Sequence, residues 1–240
     1  MKIDIFYPCS NDGFTDVNRK NLIKILNHVG DTPIEPEIIN CCGQMEHLQG
    51  YSELAKTNGE HLILSYQIDR PIIMASTSCL GYIRIYYNKF FFNTALHNEF
   101  KQFSKNICDI TEYLVNIKKQ TNLNAYFESR VSYYHSCSAS QKCKINKEPI
   151  TLLEEVSSLT LTEYDNIGCC GAGGLFPKTH PEYSEKLALV ELNKMLEFDT
   201  EYITSTDASC LNHLQKIINK HNLKLKTIHI VDILASGITQ

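Results

Sequence analysis

The sequence lacks several features that would assign it to a common functional class. No apolar run approaches the ~20 residues that a membrane-spanning helix needs. The net charge is −4 with no long run of one sign, which argues against a nucleic-acid or anionic-membrane partner. No P-loop or G-x-G-x-x-G nucleotide motif occurs. Residues 1–8 do not resemble a signal peptide, because an Asp interrupts the apolar run and no cleavage site follows. We therefore expect a cytoplasmic protein without a transmembrane segment.

Cysteine, in contrast, is abundant, with ten among 240 residues. In the cytoplasm thiols are kept reduced, so a high cysteine count favours metal or redox chemistry over structural disulfides. Structural zinc sites usually contain C-x2-C pairs, and none occurs in this sequence. The spacing of the cysteines therefore has to identify the chemistry.

Eight of the cysteines form a pattern that occurs twice. They are Cys9, Cys41, Cys42 and Cys79 in the first half, and Cys137, Cys169, Cys170 and Cys210 in the second. The first three, with Gly43 and its counterpart Gly171, recur after 128 residues, and the fourth recurs after 131. We predict a tandem duplication with domains at 1–120 and 121–240. Cys108 and Cys143 have no counterparts, and we interpret them as small buried apolar residues.

Short apolar segments alternate with amphipathic ones in both halves, which predicts an α/β fold. We expect two Rossmann-like halves in tandem, each with a largely parallel sheet. The predicted strands are 3–7, 34–39, 71–76, 130–135, 159–164, 201–206 and 225–230. The predicted helices are 17–29, 49–66, 150–156, 181–198, one beginning near Leu211, and 231–235. Each repeated cysteine then follows the end of a strand, where parallel sheets bind their ligands.

Four converging thiolates are soft ligands that suit zinc or an iron–sulfur cluster. Adjacent side chains in an extended segment point in opposite directions, so a Cys-Cys pair favours separate atoms of a polynuclear cluster. Glycines after the pairs, namely Gly43, Gly171, Gly173 and Gly174, predict backbone N–H groups near an anionic cluster, although an ordinary turn explains them equally well. Zinc and a thiol–disulfide redox site stay open as alternatives.

The doubled Cys-x31-Cys-Cys-Gly pattern resembles the cysteine-rich CCG domain family. The resemblance covers nearly the whole chain. That family includes subunits of heterodisulfide reductase and of glycolate oxidase, and a lactate-utilization branch to which the small size and residues 205–211 are most similar. The resemblance implies an iron–sulfur subunit of a cytoplasmic oxidoreductase that acts on L-lactate or a similar 2-hydroxy acid, with one cluster expected in each repeat. It also implies a ferredoxin-type iron–sulfur protein, a flavoprotein subunit, or both as partners.

The sequence departs from the family pattern at several positions. In heterodisulfide reductase the motif ends in Cys-x-x-Cys, whereas Ser76 and Asp207 stand at the earlier position here. We favour a helix N-cap for Asp207 over an oxygen ligand. The histidines that flank the second-repeat cysteine in the lactate branch are shifted or lost, and we interpret His135 as a hydrogen-bonded residue at a strand end rather than a proton carrier. The aromatic residues between Tyr86 and Phe92 are expected in the core or at a subunit interface, with a flavin- or quinone-facing surface as the alternative.

Overall fold

Two parallel four-stranded sheets, one in each half of the chain, organise the molecule. The structure is a computed structural model that describes residues 1–8, 13–67, 69–162 and 168–238. Cys9 and Tyr164, which the sequence placed in the first site and at the end of a strand, lie outside these residues. Within the ranges given, no helix combines the length and apolarity that crossing a bilayer demands.

The first sheet has the strand order β2-β1-β3-β4, with every pairing parallel. Its strands are β1 (Lys2–Phe6), β2 (Thr32–Ile34), β3 (Ile72–Met74) and β4 (Ile107–Cys108). The two central strands are paired with Ile5 opposite Ile73, and both side chains are fully buried. Four consecutive residues of β1 and all three of β3 are buried, which is typical of a sheet covered on both faces.

The second sheet repeats this topology with the order β6-β5-β7-β8, again entirely parallel. Its strands are β5 (Tyr126–Tyr133), β6 (Ser157–Thr162), β7 (Tyr202–Ser205) and β8 (Lys226–His229). The same strand order in both halves confirms the predicted α/β class and the repeated architecture.

Helices and helical turns connect the strands and cover both sheets. In chain order they are α1 (Asp16–His28), α2 (Gln44–Leu48), α3 (Ser52–Leu64), α4 (Thr77–Phe91), α5 (His97–Asn106), α6 (Ile110–Glu112), α7 (Lys147–Glu154), α8 (Phe176–Thr179), α9 (Pro181–Glu197), α10 (Ala208–His221) and α11 (Ile230–Leu234). Two π-helical turns, Tyr113–Lys118 and Ser138–Cys143, complete the set.

Two predicted elements of the first half are wrong in detail. The strand expected at 34–39 is an edge strand that ends at Ile34, and Ile38 is 71% exposed beyond it. Pro36 has no N–H to donate to a sheet ladder, which accounts for the early end. The single helix expected at 49–66 is two helices, α2 and α3, because Gly50 adopts a positive φ of 89° between them.

Each repeat packs helices against the other repeat in a reciprocal way. Helix α11 of the second repeat lies on α1 of the first, and α6 of the first lies on α7 of the second. The Nδ2 atoms of Asn18 and Asn21 each donate to an oxygen of Asp232 at 2.7 Å. One apolar core includes Ile5 of the first sheet and Val131 of the second. The two sheets therefore share a core.

In each repeat, the segment after the first cysteine approaches a helix of the other repeat. Lys142, which follows Cys137, lies against α4, and Gly13, which follows Cys9 in the sequence, lies against α10. A Cβ on Gly81 of α4 would lie 2.9 Å from the Lys142 Cβ, and a Cβ on Gly13 would lie 2.7 Å from the Ala208 carbonyl oxygen of α10. Both glycines permit a close approach that a larger residue would obstruct. As a result, the carboxyl ends of both sheets face a common space.

Candidate metal centre

The first repeat brings its described candidate cysteines to the carboxyl end of the first sheet. Cys41 and Cys42 immediately precede α2, and Cys79 lies in the first turn of α4, directly after β3. The Cys42 and Cys79 sulfurs are 3.1 Å apart, and Cys41 and Cys42 are hydrogen-bonded through their thiols. Three sequence-predicted cysteines therefore meet here.

The second repeat brings together all four of its candidate cysteines. Cys137 follows β5, Cys169 and Cys170 precede α8, and Cys210 lies in the first turn of α10. Thiol contacts link Cys137 to Cys169, Cys169 to Cys170, and Cys170 to Cys210, and the last two sulfurs are 2.7 Å apart. This quartet comes from four separate segments, as expected for the ends of parallel strands.

In each group the described thiols contact one another one after the next, and they do not surround a common point where a single ion could bind. Among the residues that the structure describes, no group of three or more His, Cys, Asp or Glu side chains stands in a position to hold one metal ion. The donor set is nevertheless purely thiol, which is the ligand type of iron–sulfur clusters and of zinc. The residues present therefore fit these groups in ligand chemistry, and the second repeat supplies four thiols for one such group.

A left-handed glycine after each Cys-Cys pair holds the pair against a neighbouring helix. Gly43 has φ +80° and its Cβ would lie 2.6 Å from the Ala55 carbonyl oxygen, while Gly171 has φ +84° and its Cβ would lie 2.5 Å from the Ser184 carbonyl oxygen. The Gly43 N–H donates to the Cys41 sulfur and the Gly171 N–H donates to the Cys169 sulfur, both at 3.4 Å. The two repeats thus use the same turn to direct an amide at a sulfur.

The last cysteine of each repeat lies in the first turn of a helix with a capped N-terminus. Ser76 caps α4 and accepts a hydrogen bond from the Cys79 N–H at 3.3 Å. Asp207 caps α10 and accepts from the Cys210 N–H at 3.4 Å and from the Ser209 hydroxyl at 2.6 Å. The N-cap predicted for Asp207 is therefore confirmed. The positive end of a helix dipole favours a thiolate in both places.

Both cysteine groups open into one cavity of about 360 Å³, which sequence reasoning did not anticipate. Glycines Gly173 and Gly174 line it, as do Phe14 and the two lysines Lys142 and Lys178. The cysteines on its wall are Cys41, Cys42, Cys79, Cys137, Cys169, Cys170 and Cys210. No sequence signal identified the shared cavity, because it depends on how the two repeats dock.

Burial and crowding favour the neutral thiols in this site. Hydrogen bonds with Cys41 and Cys79, together with burial, raise the pKa of Cys42. The hydrogen bond with Cys170 lowers the pKa of Cys210, but burial and the nearby charge of Asp207 bring it to about 12. A bound cation would reverse this balance, since metal ligands must be deprotonated and metal binding releases their protons.

The remaining sequence candidates lie outside the cysteine groups. Cys108 and Cys143 are buried, as predicted. His135 is half-buried after β5, where its ring lies edge-on against the Tyr133 ring with centroids 4.7 Å apart. Within the aromatic run, Tyr87 and Phe91 are fully buried, which confirms the core interpretation for these two.

Fold and site together define a duplicated α/β protein whose paired repeats gather cysteine thiols at the carboxyl ends of two parallel sheets. The profile of the cysteine-rich domain family (CCG) matches residues 3–84 and 131–215, which correspond to the two repeats. The chain belongs to the cysteine-rich CCG domain family, as the sequence pattern indicated.

Curated relatives match over the full length of the chain. Lactate utilization protein A 2 of Bacillus cereus (strain Q1) is 26% identical over 247 residues, covering 100% of both chains. Lactate utilization protein A of Oceanobacillus iheyensis is 28% identical over 236 residues, covering 98% of this chain and 96% of the relative.

Among solved structures, the glutamate racemase RacE1 of Bacillus anthracis aligns with 98% of this chain and 78% of its own. The identity is 12% and the TM-score is 0.35. An aspartate racemase homologue from Pyrococcus horikoshii aligns with a TM-score of 0.31. Both TM-scores are low.

Proposed function

We propose that the chain is the iron–sulfur subunit of a cytoplasmic oxidoreductase complex that oxidises L-lactate or a similar 2-hydroxy acid. The observation that carries this proposal is the convergence of seven described cysteines, from both repeats, on one cavity. The full-length similarity to proteins named Lactate utilization protein A supports the choice of substrate class.

The proposed ligands are four thiolates in each repeat, with one cluster per repeat. They are Cys9, Cys41, Cys42 and Cys79 for the first cluster, and Cys137, Cys169, Cys170 and Cys210 for the second. When bound, an iron–sulfur cluster accepts and donates single electrons. The chain's own contribution is to exclude water from the buried sulfurs and to direct backbone amides at them. The N–H groups of Gly43 and Gly171 do this at 3.4 Å, and Gly173 and Gly174 keep the backbone close to the cavity.

Two basic side chains and one acidic side chain, Asp207, also line the cavity. Lys142 and Lys178 line its wall beside the thiols, and a cluster with four thiolate ligands has a net negative charge. These ammonium groups would lower the electrostatic cost of adding an electron there. A complete lactate-oxidising system would also need a ferredoxin-type iron–sulfur protein, a flavoprotein subunit, or both, and we propose them as partners.

A thiol–disulfide reductase is the second candidate function. The specific observation in its favour is the short separation of the Cys170 and Cys210 sulfurs, 2.7 Å, and of the Cys42 and Cys79 sulfurs, 3.1 Å. Such pairs could exchange two electrons as dithiol and disulfide without a metal. A zinc-stabilised scaffold is the third possibility, with the same thiolates as ligands and no electron transfer.

Anaerobic purification followed by iron, sulfide and zinc analysis separates these functions. A brown protein with iron and acid-labile sulfide supports the main proposal. Retention of half the iron and half the sulfide in Cys170→Ser would assign one cluster to each repeat. A colourless protein with two zinc ions supports the scaffold. A metal-free protein that turns over a small disulfide supports the reductase.

A further inference from the structure

Tyr82 is a buried tyrosine beside the first cysteine group that none of the roles above uses. It lies on α4 three residues after Cys79, so both side chains lie on the same helix face. Helical side chains lean toward the N-terminus, which directs the Tyr82 ring back over the turn that contains Cys79. Tyr82 is 1% exposed and Cys79 is 7% exposed. The phenol is therefore buried behind the cavity lining, one helical turn after Cys79.

The Tyr82 hydroxyl is buried without a hydrogen-bond partner among the described residues. Two other buried tyrosines have partners: the Tyr87 hydroxyl donates to the Cys42 carbonyl oxygen at 2.9 Å, and the Tyr134 hydroxyl donates to the Gly168 carbonyl oxygen at 3.3 Å. An unsatisfied buried hydroxyl costs stability, so such a group calls for an explanation.

Aromatic rings surround the Tyr82 ring, and none of them accepts a hydrogen bond from its hydroxyl. The rings of His47, Tyr86 and Tyr87 pack around it, with centroids 5.6, 5.2 and 5.9 Å from its own. Burial raises the pKa of the Tyr82 phenol, and a thiolate at Cys42, the Glu46 carboxylate and a thiolate at Cys41 would each raise it further. The charged groups close to this hydroxyl thus include both members of the Cys-Cys pair.

The corresponding position in the second repeat is occupied differently. His213 follows Cys210 by three residues on α10, as Tyr82 follows Cys79 on α4. Its Nε2 is 3.1 Å from the Ser184 hydroxyl, which donates in turn to the Gly171 carbonyl oxygen at 2.9 Å. His213 is therefore engaged in holding the second turn, whereas the Tyr82 hydroxyl has no such bond. The two repeats therefore differ at the position three residues after the last cysteine.

We propose that Tyr82 donates a hydrogen bond to a cysteine sulfur of the first cluster and raises the reduction potential of that cluster alone. This inference rests on the proposed function, because it requires a bound cluster as the acceptor. Hydrogen bonds to the sulfurs are one of the factors that set the potential of an iron–sulfur site. A donor O–H stabilises the additional negative charge of the reduced form, so its removal makes reduction harder.

The test is Tyr82→Phe, which removes only the hydroxyl oxygen. It is made in a Cys170→Ser background, in which the first cluster is the one retained, and the potential is measured by EPR-monitored redox titration. We expect a shift to a more negative potential. The thermal stability of the metal-free protein should stay equal or rise, because the deleted hydroxyl has no partner there. The matched control is Tyr134→Phe, whose hydroxyl is bonded to Gly168; it should lower the metal-free stability and leave the first potential unchanged.

The possible results distinguish failure of the inference about Tyr82 from failure of the proposed function. An unchanged potential in Tyr82→Phe with the cluster present overturns the inference about Tyr82 and leaves the proposed function intact. If Tyr82→Phe loses the first cluster while the thermal stability of the metal-free protein is unchanged, the inference is supported. If the metal-free protein also becomes less stable, the inference is overturned, because the hydroxyl then has a structural partner. A wild-type chain without iron and sulfide overturns both.

Discussion

Replacing Gly43 by alanine tests whether the turn after the Cys-Cys pair is shaped by steric necessity. The added Cβ would lie 2.6 Å from the Ala55 carbonyl oxygen of α3, and the residue would keep φ near +80°. The left-handed conformation costs about 1–2 kcal/mol for a non-glycine residue. Overpacking against backbone adds about 1–3 kcal/mol. The variant should therefore lose about 2–5 kcal/mol of unfolding free energy.

Gly50 is a matched control in the same segment of the chain. It also has a positive φ, +89°, but its Cβ would meet nothing within 4 Å. Gly50→Ala should therefore show only the conformational cost, about 1–2 kcal/mol. Urea unfolding of the reduced, metal-free proteins measures both values, and the difference between the variants isolates the steric overlap with Ala55.

The same substitution also has a consequence for metal content. Gly43→Ala should reduce the iron bound by the first repeat and spare the second, while Gly171→Ala, whose Cβ would lie 2.5 Å from the Ser184 carbonyl oxygen, should do the reverse. If Gly43→Ala is no more destabilising than Gly50→Ala and keeps all of its iron, the reasoning about this turn is refuted.

Three further perturbations probe the cap, a buried ion pair and the cysteine assignments. Asp207→Ala should lose about 1 kcal/mol of stability, because the N-cap of α10 is removed. Asp207→Ser copies the serine cap of the first repeat and should retain both stability and iron. Loss of iron in the serine variant would instead identify Asp207 as a ligand. The fully buried Asp31 has a lowered pKa because hydrogen bonds from the N-terminal ammonium, Tyr113 and Lys118 outweigh the opposing effect of burial. The stability that the Asp31 carboxylate contributes is therefore present above the unfolded pKa of about 3.9 and disappears as the pH falls through the folded pKa. Because Lys118 and the N-terminal ammonium are partly exposed, Asp31→Asn should cost about 2 kcal/mol at pH 7, and this cost should vanish in acid unfolding titrations. Cys170→Ser should halve the iron content while Cys108→Ala leaves it unchanged, and equal losses in the two variants would contradict the assignment of ligands.

The duplication and the sheet class could be predicted because they depend on local patterns. Apolar segments of strand length and the spacing of eight cysteines are visible in one sequence, and the strand order repeats as they indicated. The boundary at residue 120 stays a prediction. The prediction of a strand at 34–39 is wrong because the apolar residues beyond Ile34 do not belong to the short edge strand β2. The prediction of one helix at 49–66 is wrong because an isolated glycine, such as Gly50, is tolerated in many helices and does not by itself indicate a break.

The shared cavity and the Tyr82 environment could not be predicted. Both depend on contacts between segments that are far apart, such as the Thr77 hydroxyl, which donates to the Thr206 carbonyl oxygen at 3.3 Å. Close approach of Gly81 to Lys142 brings the repeats together, and no periodicity in the sequence reports it. The cysteine convergence within each repeat follows from strand topology, whereas the joining of the two groups follows from tertiary docking.

Metal and sulfide counting on anaerobically purified protein, combined with EPR, tests the central claim most directly. We expect a brown protein that contains iron and acid-labile sulfide in amounts equivalent to two clusters per chain, with paramagnetic signals in at least one oxidation state. A colourless protein that contains zinc, or one whose repeated cysteines are paired in disulfides after anaerobic isolation, would contradict it.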